Sequence, residues 1–292
     1  MATEIALPES LRTVFAGQAV VLMLIMVVLA EPGHDFMLTL GDGSQWILHA
    51  ADDTARESIA QFSRATRLKL YSSEAGKAHE VVFAPCIGNS LKVPDDLVDC
   101  LRLVELSTLL ARAFVPRGGV LLHGALAEQE GRGVLLAAPG GTGKTTASNR
   151  LAPPWRSLSD DLTLVLQDKQ GRWWAHPWPT WGRFAPGGPG GAWDVQHAVP
   201  LHAMFYLAQA PAEKVEPLGA GQAIARLVQS AEQAAYYASI PGSPSEETSV
   251  LRQQIFDLLC NLARAVPAFV LHLSLTGAFW VEIERALGWN RE

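Results

Sequence analysis

The chain has 292 residues, 49% hydrophobic and 18% charged, with a formal net charge of −6 at pH 7. That composition suits one or two globular domains with a substantial core and argues against long disorder. With no dense Lys/Arg block, it also argues against nucleic acid as a partner, because neutralising phosphates needs clustered cations.

The three cysteines, Cys86, Cys100 and Cys260, are odd in number and widely spaced. That is the pattern of reduced thiols in a cytoplasmic protein, not of a disulfide framework or a zinc site. Residues 1–33 are set apart by an apolar run, since Thr13 to Ala30 carries no charge. A spanning helix needs about 20 apolar residues, with roughly 17 near the lower limit. Residues 13–30 can therefore be a membrane anchor, a helix packed on the protein or a partner, or an export signal with Val28 and Ala30 at the cleavage positions. Glu4 and Glu9 beside Arg12 make a poor basic start for export, and Met37 offers a later start codon. The expectation is a cytoplasmic protein, with membrane association through 13–30 left open.

Residues 34–116 read as a small α+β domain. Two short strands flank the turn Gly41-Asp42-Gly43. Asp52 or Asp53 caps a helix to about Arg64, strands follow near Leu68–Tyr71 and Glu80–Pro85, and Pro94-Asp95-Asp96 opens a long amphipathic helix through Phe114.

Residues 117–292 form a second domain. Val120 to Ala127 is a strand carrying His123-Gly124, Gln129 to Arg132 a turn, and Gly133 to Ala138 a continuous apolar strand that implies burial on both faces. A short helix from Lys144 to Leu151 ends before Pro153-Pro154. A strand over Ser157–Leu166, another over Arg172–His176, and a buried strand over His202–Leu207 come next. Helices at about 220–238 and 248–265, a strand at Phe269–Leu275 and a helix at Phe279–Leu287 complete the chain. The fold class is α/β: an α+β N-terminal unit, then a mixed sheet flanked by helices.

Between the apolar strand and the short helix lies Ala138-Pro139-Gly140-Gly141-Thr142-Gly143-Lys144-Thr145-Thr146. Its first eight residues match the phosphate-binding loop pattern, in the strand–loop–helix context that the pattern requires. Gly140, Gly141 and Gly143 let successive N–H groups turn toward phosphate oxygens at a helix N-terminus. Lys144 reaches the β- and γ-phosphates, and the Thr145 hydroxyl joins an octahedral Mg²⁺ shell. The expected ligands are ATP and Mg²⁺, on Pro139 through Thr146.

Asp160-Asp161 follows shortly after, at the start of a strand beside the loop. One carboxylate can hold Mg²⁺, Asp161 being the candidate, and the other can take the proton of an attacking hydroxyl. In a strand the two side chains point to opposite faces, so both cannot be metal ligands without a bend. His123 is either a hydrogen-bonded core residue or a third member of this group, placed there by an adjacent strand.

These residues resemble HPr kinase/phosphorylase and its bacterial relatives. The resemblance rests on the order His-Gly strand, turn, apolar strand, Gly-Thr-Gly-Lys-Thr loop and Asp-Asp strand. It implies a P-loop core shared with phosphoenolpyruvate carboxykinases, with His123, Lys144, Asp160 and Asp161 catalytic and Mg²⁺ on Thr145. An acidic residue in a Gly-Leu-Gly-Ile context, which marks HPr kinases themselves, is absent. HPr and a reverse phosphorylase reaction are therefore not expected.

The sequence is more specifically similar to the ScmC family of SynChlorMet cassettes, over roughly 36–288. The carrying stretches are Leu122–Ala127, Ala138–Thr146, Asp160–Val165, Trp174–Trp181, Val199–Leu201 and Phe279–Glu284. Such cassettes carry radical SAM and PqqD-like peptide-binding proteins. The resemblance thus implies a Ser hydroxyl on a ribosomally made peptide as acceptor. A nucleotide-binding accessory protein and a small-metabolite kinase are the alternatives, and a homo-oligomer is left open.

Six of the nine tryptophans fall between Trp155 and Trp193. The prolines in His176-Pro177-Trp178-Pro179-Thr180-Trp181 argue against regular strand or helix there. The strip is either a packed corner over the sheet or a peptide groove lined by His176, Trp178, Trp181 and Arg183, with the glycines at 187–191 as its lid.

Overall fold

The computed structural model describes residues 35–39, 45–66, 69–71, 79–83, 95–139, 141–180, 183, 190–234 and 246–289. The apolar segment 13–30, the turn 41–43, Gly140, Trp181 and the glycines at 187–188 lie outside them.

The N-terminal unit comprises β1 (Asp35–Thr39), β2 (Gln45–Ala50), α1 (Asp53–Thr66), β3 (Lys69–Tyr71), β4 (His79–Phe83) and α2 (Asp95–Phe114). Its sheet runs β3-β1-β2-β4, with β4 parallel to β2. Asp52 starts α1 as a side-chain cap, its Oδ1 accepting the Ala55 N–H at 2.7 Å.

The second sheet is built from β5 (Gly119–Gln129), β6 (Arg132–Ala137), β7 (Trp155–Ser159), β8 (Leu162–Gln167), β9 (Trp173–Trp178), β10 (Val199–Gln209), β11 (Lys214–Leu218) and β12 (Ala268–Leu273). Its order is β11-β12-β10-β6-β5-β8-β9, with β7 on the same edge of β5 as β8. β6, β10 and β12 are parallel, while β5, β8 and β9 run antiparallel to their neighbours. This is the mixed α/β architecture expected. The helices are α3 (Lys144–Arg150), α4 (Ala220–Ala234), α5 (Glu246–Ala265) and α6 (Phe279–Leu287).

The apolar run of β6 is buried on both faces, as its composition requires. Val134 and Leu136 join Ala125, Ala127, Phe205 and Phe279 on one side, while Leu135 and Ala137 join Leu126 and Met204 on the other. The β5–β6 hairpin turns on Glu130 and Gly131, at φ 52° and 79°, the paired positive angles of a tight two-residue turn.

Three elements differ from the sequence expectation, one of them the edge strand β11, which was not foreseen and pairs antiparallel with β12. The strand over Ser157–Leu166 is broken into β7 and β8 by a bend at Asp160-Asp161. The pairing survives the break, since Leu126 faces Ser159 and His123 faces Leu162 in one register. The two carboxylates leave the ladder together, where a buried strand would have forced one into the core. The second difference is β9, which continues through His176-Pro177-Trp178 against Leu164, Thr163 and Leu162. Pro177 is tolerated because β10 pairs with β9 only at Trp174 and Ala175, so its missing N–H is not needed on that edge.

The register places the site. On one edge of β5, Gly124 faces Ala137, the last residue of β6; on the other, His123 faces Leu162, the first of β8. The glycine loop and the Asp pair therefore flank His123-Gly124. Gly124 allows the close approach, since a Cβ there would lie 2.8 Å from Leu135 Cδ1 and 3.3 Å from the Leu136 carbonyl oxygen.

The N-terminal unit is fastened to the second sheet by aromatics. Trp46 meets Phe114 edge-on at 4.6 Å, and Trp178 meets Phe114 at 6.0 Å and Phe62 at 6.2 Å between centroids. One core cluster runs from Leu48 and Ile59 through Leu106 to Leu164 and Trp178. No helix among the described residues is long and apolar enough to cross a membrane.

Candidate functional site

Backbone conformation shapes the glycine loop. Gly141 and Gly143 have φ of 77° and 105°, and nothing lies within 4 Å of a Cβ built on either. Glycine is demanded there by the left-handed backbone, not by crowding. The Thr142 N–H donates to the Pro139 carbonyl at 3.3 Å, and Gly143 caps α3 by accepting from the Ala147 N–H at 2.8 Å. Gln209 at the end of β10 steadies the loop from outside, donating to the Thr142 carbonyl at 3.3 Å.

Lys144, the first residue of α3, is 5% exposed. Its ammonium donates to the Ala138 carbonyl at 2.9 Å and lies 3.9 Å from Asp161 Oδ1. Burial lowers its pKa, and the nearby Asp161 carboxylate works in the opposite direction. Thr145 and Thr146 are exposed in the first turn of α3, and Pro139 is exposed on the loop.

Asp161 is shared by two partners. Its Oδ1 is 2.8 Å from His123 Nε2 as well as 3.9 Å from Lys144 Nζ. His123 is held from its other side by Gln233 of α4, whose Oε1 is 2.7 Å from Nδ1. Asp160 points away, Oδ2 accepting from Arg183 at 3.0 Å while Oδ1 is buried with no hydrogen-bond partner among the described residues. The bend frees both carboxylates from the ladder, yet they still diverge. One joins His123 and Lys144, and the other joins Arg183.

These residues suit Mg²⁺ shared with a phosphate ligand. Among the described residues no three His, Cys, Asp or Glu side chains cluster to hold a metal by themselves. An exposed threonine hydroxyl at a helix start and a carboxylate beside a buried lysine supply the few oxygen ligands that Mg²⁺ takes from protein, the rest coming from water and phosphate.

Of the two readings of the tryptophan strip, His176 and Trp178 fit the packed corner and not the groove. His176 is fully buried, its Nδ1 2.6 Å from the Val195 carbonyl oxygen. Trp178 is equally buried and donates its indole N–H to Ser107 of α2 at 2.6 Å. Both are core residues of β9, Trp178 at the place where α2 meets that strand. Arg183 turns to Asp160 and also donates to the Gly190 carbonyl at 2.9 Å. Trp181 lies outside the described residues.

The helix expected at about 220–238 is α4, but sequence reasoning did not place it at the site. Arg226, Gln229, Ser230 and Gln233 line a small, shallow depression, with Ala137, Ala138, Pro139 and Tyr206 as its other wall. The Arg226 guanidinium sits 5.5 Å from the centre of the Tyr206 ring. Burial pushes the Tyr206 hydroxyl well up from its ordinary pKa, against the opposing effect of Arg226. The signal was in the spacing: positions 226, 229, 230 and 233 form one polar helical stripe, beside the buried stripe of Ala223, Leu227, Ala231 and Ala234.

Residues 89–288 match the family model of the SynChlorMet cassette protein ScmC. The chain belongs to the ScmC family. No curated protein matches it. The ScmC match covers His123, the glycine loop, the Asp pair and α4, while β1 to β4 precede it.

Proposed function

We propose that this ScmC-family chain is a Mg·ATP-dependent kinase of the HPr kinase-like type. The acceptor is a hydroxyl, a serine, on a ribosomally made peptide of a maturation cassette. The observation that carries the reading is the meeting of Lys144, Asp161 and His123 at the mouth of a glycine loop of phosphate-binding pattern.

In this reaction the loop N–H groups cradle the phosphate chain at the start of α3. The Lys144 ammonium exchanges the Ala138 carbonyl for the β- and γ-phosphate oxygens and offsets the charge that builds up during transfer. Asp161 accepts the proton of the acceptor hydroxyl as its oxygen bonds to the γ-phosphorus. The bond to the β–γ bridging oxygen breaks, and ADP leaves with that electron pair. His123 holds Asp161 in place for this step. Thr145 and Asp161 would hold Mg²⁺, which would offset part of the phosphate charge. The partners implied are the peptide and the cassette's PqqD-like and radical SAM proteins.

The test is incubation of the protein with Mg²⁺, [γ-³²P]ATP and the precursor peptide encoded beside its gene. The reading expects label on the peptide, lost in Lys144→Ala. ATP binding with no label transferred to the peptide would refute the kinase and favour an accessory nucleotide-binding role.

A further inference from the structure

We propose that Gln233 is a positioning residue for His123, so that helix α4 belongs to the site although it carries no catalytic group. The proposal extends the kinase reading, but its geometry does not depend on it.

His123 is on β5, where its ring is anchored from two sides. Asp161 is 2.8 Å from Nε2 and Gln233 is 2.7 Å from Nδ1. One hydrogen bond would leave the imidazole free to turn about the axis to Asp161. A second, on the opposite nitrogen, fixes the ring plane and thereby the direction from which Nε2 meets the carboxylate. Helix α4 grips the same residue a second time, because Ser230 donates its hydroxyl to the His123 backbone carbonyl at 3.1 Å. Ser230 and Gln233 are three apart and so lie on one face of the helix, one holding the backbone of His123 and the other its ring.

The chemistry favours an amide at this position. A carboxylate would put a second negative charge on the imidazole that already faces Asp161. A lysine or arginine would draw Asp161 away from Lys144. The neutral amide fixes the ring and leaves the pairing of Asp161 with Lys144 undisturbed. Arg226 and Gln229 continue the polar stripe of α4 into the depression beside Pro139.

The test compares Gln233→Leu, which keeps the shape without an acceptor, with Gln233→Glu, which restores an oxygen at the same reach. In ¹⁵N-histidine-labelled protein, the His123 ring signals are assigned by their loss in His123→Gln. The expected result is a displaced Nδ1 resonance in Gln233→Leu and its recovery toward the wild-type position in Gln233→Glu. Peptide phosphorylation should fall on the order of tenfold in Gln233→Leu, the usual scale for losing an orienting partner, with ATP affinity within about twofold of wild type. Gln229→Leu, one turn away, serves as the control for general disturbance of α4. A His123 Nδ1 resonance unchanged in Gln233→Leu, or moved equally by Gln229→Leu, would overturn the proposal. Absence of any transfer in the wild type would defeat the kinase reading while the ring signals still decide the role of Gln233.

Discussion

Replacing Trp178 by alanine tests how the two halves of the molecule are joined. The indole is fully buried between Phe114, at 6.0 Å and near-perpendicular, and Phe62, at 6.2 Å. Its N–H is used by Ser107 at 2.6 Å. Truncating a buried tryptophan to alanine costs about 3–5 kcal/mol, and leaving the Ser107 hydroxyl without its partner adds roughly 1 kcal/mol. A loss of about 4–6 kcal/mol is then expected, a large share of the ~5–15 kcal/mol that stabilises an ordinary domain. Trp178→Phe keeps most of the ring volume and should lose about 1–3 kcal/mol, from the hydrogen bond and a smaller void. Urea unfolding followed by far-UV circular dichroism measures both. If the alanine variant is too unstable to purify, the phenylalanine variant still reads the effect. A change under about 1 kcal/mol in Trp178→Ala would mean that the side chain is not in the core, and the peptide-groove reading of the strip would return.

Two further predictions concern charge. Burial depresses the pKa of Lys144 in the folded protein, so between that depressed value and the ordinary 10.5 the unfolded chain holds more protons. Stability from this group therefore rises with pH across that window. Lys144→Met should flatten the alkaline rise, leave the protein no less stable near neutrality and abolish ATP-dependent transfer; a marked loss of thermal stability would contradict this account. Asp168 behaves in the opposite sense. Burial works to raise its pKa, but the Trp174 indole, the Arg172 N–H and guanidinium and the Gln170 N–H outweigh it, holding the pKa at about 2 against 3.8. Its contribution is present above the ordinary carboxylate range and is lost as pH falls toward 2. Asp168→Asn should blunt acid destabilisation between those values in pH-dependent melting, and an unchanged acid limb would refute the assignment.

Much of the molecule was legible because local rules and the final fold agree. The apolar run of β6, the glycine loop, the cap at Asp52 and the closing helix α6 each carry their signal within a few residues. What failed depended on neighbours remote in sequence. The bend at Asp160-Asp161 is visible only once β5 fixes one register on both sides of it. Pro177 stays in a strand because β10 leaves that stretch of β9 free, which no local reading of the prolines can show. The sequence left His176 and Trp178 open between a packed corner and a groove; the burial of Trp178 rests on α2, some seventy residues earlier in the chain. The polar stripe of α4 marked the face that carries Gln233, but only the packing of α4 on β5 brings it to His123 across 110 residues.

The central claim is that Asp161, paired with His123 and Lys144, is the carboxylate that serves phosphoryl transfer, while Asp160 anchors Arg183. Mass spectrometry of the precursor peptide after incubation with Mg·ATP and the Asp161→Asn or Asp160→Asn protein tests it most directly. The account predicts a phosphorylated serine with wild type, its reduction by at least about 100-fold in Asp161→Asn, and a smaller loss in Asp160→Asn. Undiminished phosphorylation by Asp161→Asn would contradict it.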